Sequence, residues 1–104
     1  MLRYSSKKRI MLFQKHDMLE TGYHWRDNAG TLPFEGDPTR RPFDRFNGDQ
    51  VLFIINFYGS LQDDFGLAEC RKLENAICCQ LPLGIKSEIS VFNWIRNIDL
   101  SAAQ

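Results

Sequence analysis

The longest apolar run in the chain is Val51-Leu52-Phe53-Ile54-Ile55-Asn56-Phe57-Tyr58, interrupted by a single amide side chain. It is rich in β-branched and aromatic residues and is bounded by Asn47-Gly48-Asp49 and Gly59-Ser60. A run of this kind between turn-forming residues reads as a strand buried on both faces. The pattern therefore predicts a central strand over about 50–58.

Beyond this run the period changes. Leu67, Cys70, Leu73, Ile77 and Leu81 recur at helical spacing and form one apolar stripe. Asp63 and Asp64 precede it, where negative charge suits the positive end of a helix dipole, and Pro82 and Gly84 follow it as stop signals. A helix over about 65–81 is predicted. On its wheel Cys70 lies within the stripe, Cys78 at its border and Cys79 nearly opposite. Ser87-Glu88 then reads as a second helix start. Val91, Trp94, Ile95 and Ile98 stand at i, i+3, i+4 and i+7, which predicts a helix over about 88–98. Ser101 to Gln104 reads as a frayed end.

Upstream, Ile10 to Phe13 is a short apolar run read as a strand. Tyr23-His24-Trp25-Arg26 and Thr31-Leu32-Pro33-Phe34 flank Asp27-Asn28-Ala29-Gly30, a turn sequence, and together predict a β-hairpin. Pro33 cannot donate a ladder hydrogen bond, so its strand belongs at an edge. Residues 35–50 carry Gly36, Pro38, Pro42 and Gly48 and keep no period. Phe43 and Phe46 would pin this loop to the body. Strands first and helices last predict a single α+β domain over 1–104. It would be a small antiparallel or mixed sheet covered on one side by two C-terminal helices.

A chain of 104 residues is one domain by size. Its 13 Lys+Arg balance 13 Asp+Glu, for a formal net charge of +0. That argues against broad affinity for nucleic acid or anionic membranes and leaves little repulsion between copies. The charge is uneven, since Arg3, Lys7, Lys8, Arg9 and Lys15 precede the first acid. The apolar run after the basic start falls short of the ~7–15 residues of a secretory core. No stretch approaches the ~20 apolar residues of a membrane span. Three cysteines, two of them adjacent, do not make a disulfide framework, and a cytoplasmic setting is expected.

The chemistry-bearing residues are sparse. His16, His24 and the three cysteines lack the paired spacings of zinc modules, so neither a metal site nor a cofactor is predicted. Glu35, Asp37, Asp44 and Asp49 miss the spacing of a calcium loop. There is no Gly-x-Ser-x-Gly elbow and no phosphate-cradling glycine loop. Cys78 and Cys79 fall late in a helix, where the dipole disfavours a thiolate.

Two groups of residues remain. Arg40, Arg41, Phe43, Arg45 and Phe46 interleave guanidinium forks with aromatic rings, a combination that grips phosphates and stacks on bases. The competing reading has the Phe side chains plugging the core and the Arg side chains paired with Asp37 and Asp44. Trp25, Tyr58, Phe92 and Trp94, with Cys79, exceed what one small core easily hides and form a candidate interface. The leading reading is a non-catalytic binding or regulatory module acting through protein contacts, as a homodimer or with another protein. The second is a nucleic-acid-associated protein using the Arg/Phe loop and the basic N-terminus. The third is a small enzyme pairing His24 or His16 with a carboxylate of the 35–49 loop.

Overall fold

The computed structural model describes residues 13–25 and 36–98. Among these residues there are three α-helices: α1 (Gly48–Ser60), α2 (Leu67–Cys79) and α3 (Glu88–Asn97). A 3₁₀ turn, Lys15–Asp17, precedes them. Among the described residues there is no strand. Two isolated bridges occur, a parallel one at His24–Asn47 and an antiparallel one at Pro42–Ser87. The expected α+β sheet is thus overturned: the described part of the chain is helical.

The largest correction is the predicted central strand, which is α1. The Asn47 side chain caps the helix by accepting the Gln50 N–H, and Asp49 stands in the first turn. Val51, Leu52, Ile54, Ile55 and Gly59 are buried, a helical repeat hidden inside an unbroken apolar run. The run lacks polar gaps because α1 is the central element, packed against both α2 and α3. A helix covered on most sides and a strand covered on both faces present the same hydrophobic string.

The two later helices lie where their stripes place them. In α2, Cys70, Leu73 and Ile77 are buried, and Leu81 closes the stripe beyond its end. In α3, Val91 and Ile95 are buried, and Ser87 caps the first turn by accepting the Ser90 N–H. Each buried Leu, Ile or Val of this core contributes roughly 1.5–3 kcal/mol relative to exposure.

The segment before the helices is tied down by polar contacts. Phe13 is fully buried in the core. Asn56, the one polar residue of the apolar run, accepts the Phe13 N–H at 2.8 Å and donates to the Phe13 carbonyl at 2.8 Å. The buried Glu74 carboxylate accepts from Leu19 N–H, Glu20 N–H and the Tyr23 hydroxyl at 2.9, 3.0 and 2.8 Å. Gly22, at φ +91°, turns the chain in the left-handed region that glycine tolerates, between these contacts. Desolvation and then the Glu74 carboxylate push the Tyr23 hydroxyl well above its ordinary pKa.

The strand expected at Tyr23–Arg26 is reduced, within the described residues, to the single bridge at His24. The rest of the hairpin, residues 26–34, lies outside the described residues. So do residues 10–12 of the first predicted strand, the basic positions Arg3, Lys7, Lys8 and Arg9, and the end at Ser101 to Gln104.

Candidate functional site

The irregular segment 36–47 wraps the junction of α1 and α3. Its backbone is stitched to the start of α3 by three hydrogen bonds: Phe43 N–H to the Lys86 carbonyl, Glu88 N–H to the Arg41 carbonyl, and Ile89 N–H to the Thr39 carbonyl. Beneath them lies a buried polar knot. The Glu88 side chain is 0% exposed and accepts from Arg41 Nε at 2.7 Å and Arg41 Nη2 at 2.8 Å. It also accepts from Gln50 Nε2 at 2.9 Å, Thr39 N–H at 3.0 Å and Thr39 Oγ1 at 3.4 Å. Burial opposes its charge, but the Arg41, Gln50 and Thr39 donors outweigh burial and hold its carboxyl below the usual range. Gln50 completes the knot by accepting the Asp44 N–H and donating to the Pro42 carbonyl.

Arg41 is therefore held by its own chain, through Glu88. Arg45 is held too. Its guanidinium donates to the carbonyls of Ile77 and Cys78 at 3.3 Å each and of Leu81 at 2.6 Å. These carbonyls lie at the C-terminal end of α2, where a cation offsets the negative end of the dipole. Arg40 is exposed. Phe43 packs against the core, whereas Phe46 is 60% exposed. The five residues of the Arg/Phe loop thus divide. Arg41, Phe43 and Arg45 build the fold, and Arg40 and Phe46 face outward.

Phe46 stands beside a shallow cleft of about 180 Å³. The cleft lies between the 43–46 turn and the connector from α2 to α3, with Leu81, Leu83, Ile85 and Lys86 on its far side. Leu83 is 83% exposed. His24 Nε2 lies 3.0 Å from Oδ2 of Asp44, one of the residues that line the cleft. The pairing of His24 with an acid of the 35–49 loop, anticipated from the residues, is thus present. That hydrogen bond and the Phe46 N–H on Asp44 Oδ1 lower the Asp44 pKa. Both side chains are more than half exposed, so water screens the pair.

Comparison adds no relative. No family model, no curated protein and no solved structure matches the chain.

The aromatic residues of the candidate interface are mostly occupied within the fold. The Trp25 ring covers Gly48 at the start of α1, meets Tyr23 edge-on at 5.7 Å and lies under Lys15 Nζ at 4.5 Å. Phe92 stacks edge-on with Phe57 and Tyr58, and Trp94 packs against the core. Cys79 is exposed, with its thiol directed at Asn75 Oδ1 at 3.6 Å. His16 is paired with its neighbour Asp17. Among the described residues no helix is long and apolar enough to cross a membrane.

Three features escaped the sequence reading. Glu74 and Glu88 are buried acids whose partners come from residues 19–23 and 39–50, separations no local pattern reveals. Leu83 lies between Pro82 and Gly84, so it read as part of a stop signal. Glu20, Cys78 and Cys79 bring a carboxylate oxygen and two sulfurs within 4.8 Å of one another. The paired spacings of zinc modules do not include a carboxylate 58 residues before the first of two adjacent thiols.

Proposed function

We propose that this chain is a small non-catalytic binding module that acts through protein contacts, with a second copy of itself as the partner. The observation that carries the reading is the pairing of Phe46 and Leu83, at 60% and 83% exposure, on either side of the cleft. Exposed large apolar side chains around a concavity are costly in water and favour contact with another chain. A protruding Phe beside a shallow cleft suits a two-fold contact, in which each copy inserts Phe46 into the other's cleft. The balanced charge leaves little repulsion between copies. Three cysteines outside any disulfide support a cytoplasmic setting.

Light scattering coupled to size exclusion at micromolar concentration tests the proposal. A mass twice the 12.1 kDa of the chain is expected, independent of salt. The pair Phe46→Ser and Leu83→Ser should return the mass to 12.1 kDa without loss of helix signal. A wild-type monomer, or a dimer indifferent to both substitutions, would sink the reading.

The His24–Asp44 pair supports a second reading, a small acid–base enzyme in which Asp44 orients the imidazole toward a ligand in the cleft. Turnover of model esters that vanishes in His24→Gln would favour it. The nucleic-acid reading is weaker because Arg41 and Arg45 are engaged within the fold. A salt-sensitive shift with an oligonucleotide pool would restore it.

A further inference from the structure

The end of α2 and the segment 18–25 meet at a cluster that neither the cleft nor the core uses. Glu20 approaches from the segment, and Cys78 and Cys79 close the helix. The Cys78 thiol donates to Glu20 Oε1 at 3.5 Å. One donor atom from each residue lies within 4.8 Å of the other two. From this geometry we propose that Glu20, Cys78 and Cys79 bind a thiophilic divalent cation of the zinc or cadmium class.

The distances suit such an ion. With metal–sulfur bonds of about 2.3 Å and metal–oxygen bonds of about 2.0–2.2 Å, a tetrahedral centre has a sulfur–oxygen edge of about 3.5 Å. The Cys78–Glu20 separation is already 3.5 Å. The sulfur–sulfur edge of the same tetrahedron is about 3.8 Å. The two sulfurs, within 4.8 Å, can reach it by turning the exposed Cys79 side chain away from Asn75.

The cluster is held from outside. Glu20 N–H is fixed by the Glu74 carboxylate at 3.0 Å. The carbonyls of Ile77 and Cys78 are fixed by Arg45. Two ligands therefore sit on anchored backbone, as a pre-organised metal site requires. Three protein ligands leave a fourth coordination position, which would carry water.

Binding forms two metal–sulfur bonds and one metal–oxygen bond, breaks the two S–H bonds and releases both protons to the buffer. No electron transfer is involved. Burial, then the neighbouring Cys79 and Glu20, push the Cys78 thiol well above its ordinary pKa. A divalent cation reverses that repulsion, since two thiolates and one carboxylate then surround a double positive charge. Cys70 takes no part. It is fully buried in the core, and burial raises its pKa to about 11.

The test is a titration of the reduced full chain with Cd²⁺, read by the ultraviolet charge-transfer absorption of cadmium thiolates. The expected result is a rise that ends at one equivalent per chain and is reversed by excess Zn²⁺. Cys78→Ser and Cys79→Ser should each weaken binding at least about 100-fold and Glu20→Gln at least about 10-fold, since loss of an outer-shell partner alone costs about 10–100-fold. Cys70→Ala should leave the titration unchanged. Cys79 is exposed, so its serine variant retains the fold, which circular dichroism checks directly. With free Cd²⁺ at about 100 times its Kd, the folding equilibrium constant should rise about 100-fold.

Absence of the absorption, a plateau at half an equivalent, or wild-type affinity in Cys79→Ser or Glu20→Gln would each overturn the site. Phe46→Ser should bind Cd²⁺ as the wild type does, so the cation site and the self-association reading fail separately.

Discussion

Replacing Glu88 by Gln removes one negative charge and almost no volume, so its cost reports on the polar knot rather than on packing. The Glu88 carboxylate accepts from five donor atoms supplied by Thr39, Arg41 and Gln50. A Gln side chain keeps one oxygen, which can still face Thr39 and Arg41 Nη2. Its NH₂ group must then stand where Oε2 stood, against Arg41 Nε and Gln50 Nε2, both donors. Gln50 cannot turn over to help without losing its bonds to Asp44 N–H and the Pro42 carbonyl.

Each buried donor left without an acceptor costs about 1–3 kcal/mol. Arg41 is 36% exposed and can recruit water, whereas Gln50 is buried. The expected loss is therefore about 3 kcal/mol, near the lower end of the range for breaking a buried pair. In urea, with a slope of about 1–2 kcal/mol per M, the unfolding midpoint should fall by about 2 M.

The pH dependence gives an independent check. A folded pKa held below the ordinary value of about 4.3 means that the unfolded chain takes up the proton more readily. The stability supplied by this carboxylate is thus fully present above the ordinary value and is lost as pH falls through the folded one. Wild type and Glu88→Gln should differ most near neutrality and converge in acid. A loss under 1 kcal/mol at neutral pH, or a difference that persists below the folded pKa, would refute the account of Glu88 as an ionised acceptor.

Two further substitutions probe the contacts that hold the loop and the N-terminal segment. A Cβ on Gly48 would lie 2.5 Å from the Trp25 ring, so Gly48→Ala should destabilise by about 1–3 kcal/mol, opposite to the ~1 kcal/mol gain that Ala brings in an open helix. Thermal unfolding decides the sign, and Trp fluorescence should change with it. Arg45→Met keeps much of the aliphatic stem but frees the carbonyls of Ile77, Cys78 and Leu81 at the end of α2. A loss of about 1–2 kcal/mol is expected, with faster amide exchange confined to the last turn of α2. Uniform exchange across α2 would mean that the arginine does not cap it.

The residues by themselves determined α2 and α3. Leu73, Ile77, Val91 and Ile95 recur at helical spacing because each of these helices buries one side and leaves the other in water. They also determined which thiol is buried. Cys70 lies on the stripe and Cys79 off it, and the fold hides the first and exposes the second. The candidate site was legible in part: the loop at 35–50 was read as pinned by Phe43 and Phe46, of which Phe43 packs against the core and Phe46 is exposed, and His24 or His16 was read as a partner for one of its acids, a place His24 takes.

Tertiary structure alone decided the rest. Whether Val51 to Tyr58 coils or extends depends on how many neighbours surround it, and a segment covered nearly all round loses the polar gaps that would reveal its period. The destinations of Arg41 and Arg45 were settled by Glu88 and by the end of α2, 47 and more than 30 residues away. The meeting of Glu20 with Cys78, 58 residues apart, has the same origin. Burial of a charged or hydrogen-bonding group requires a partner. A compact chain supplies that partner from wherever the packing brings it, without regard to order along the sequence.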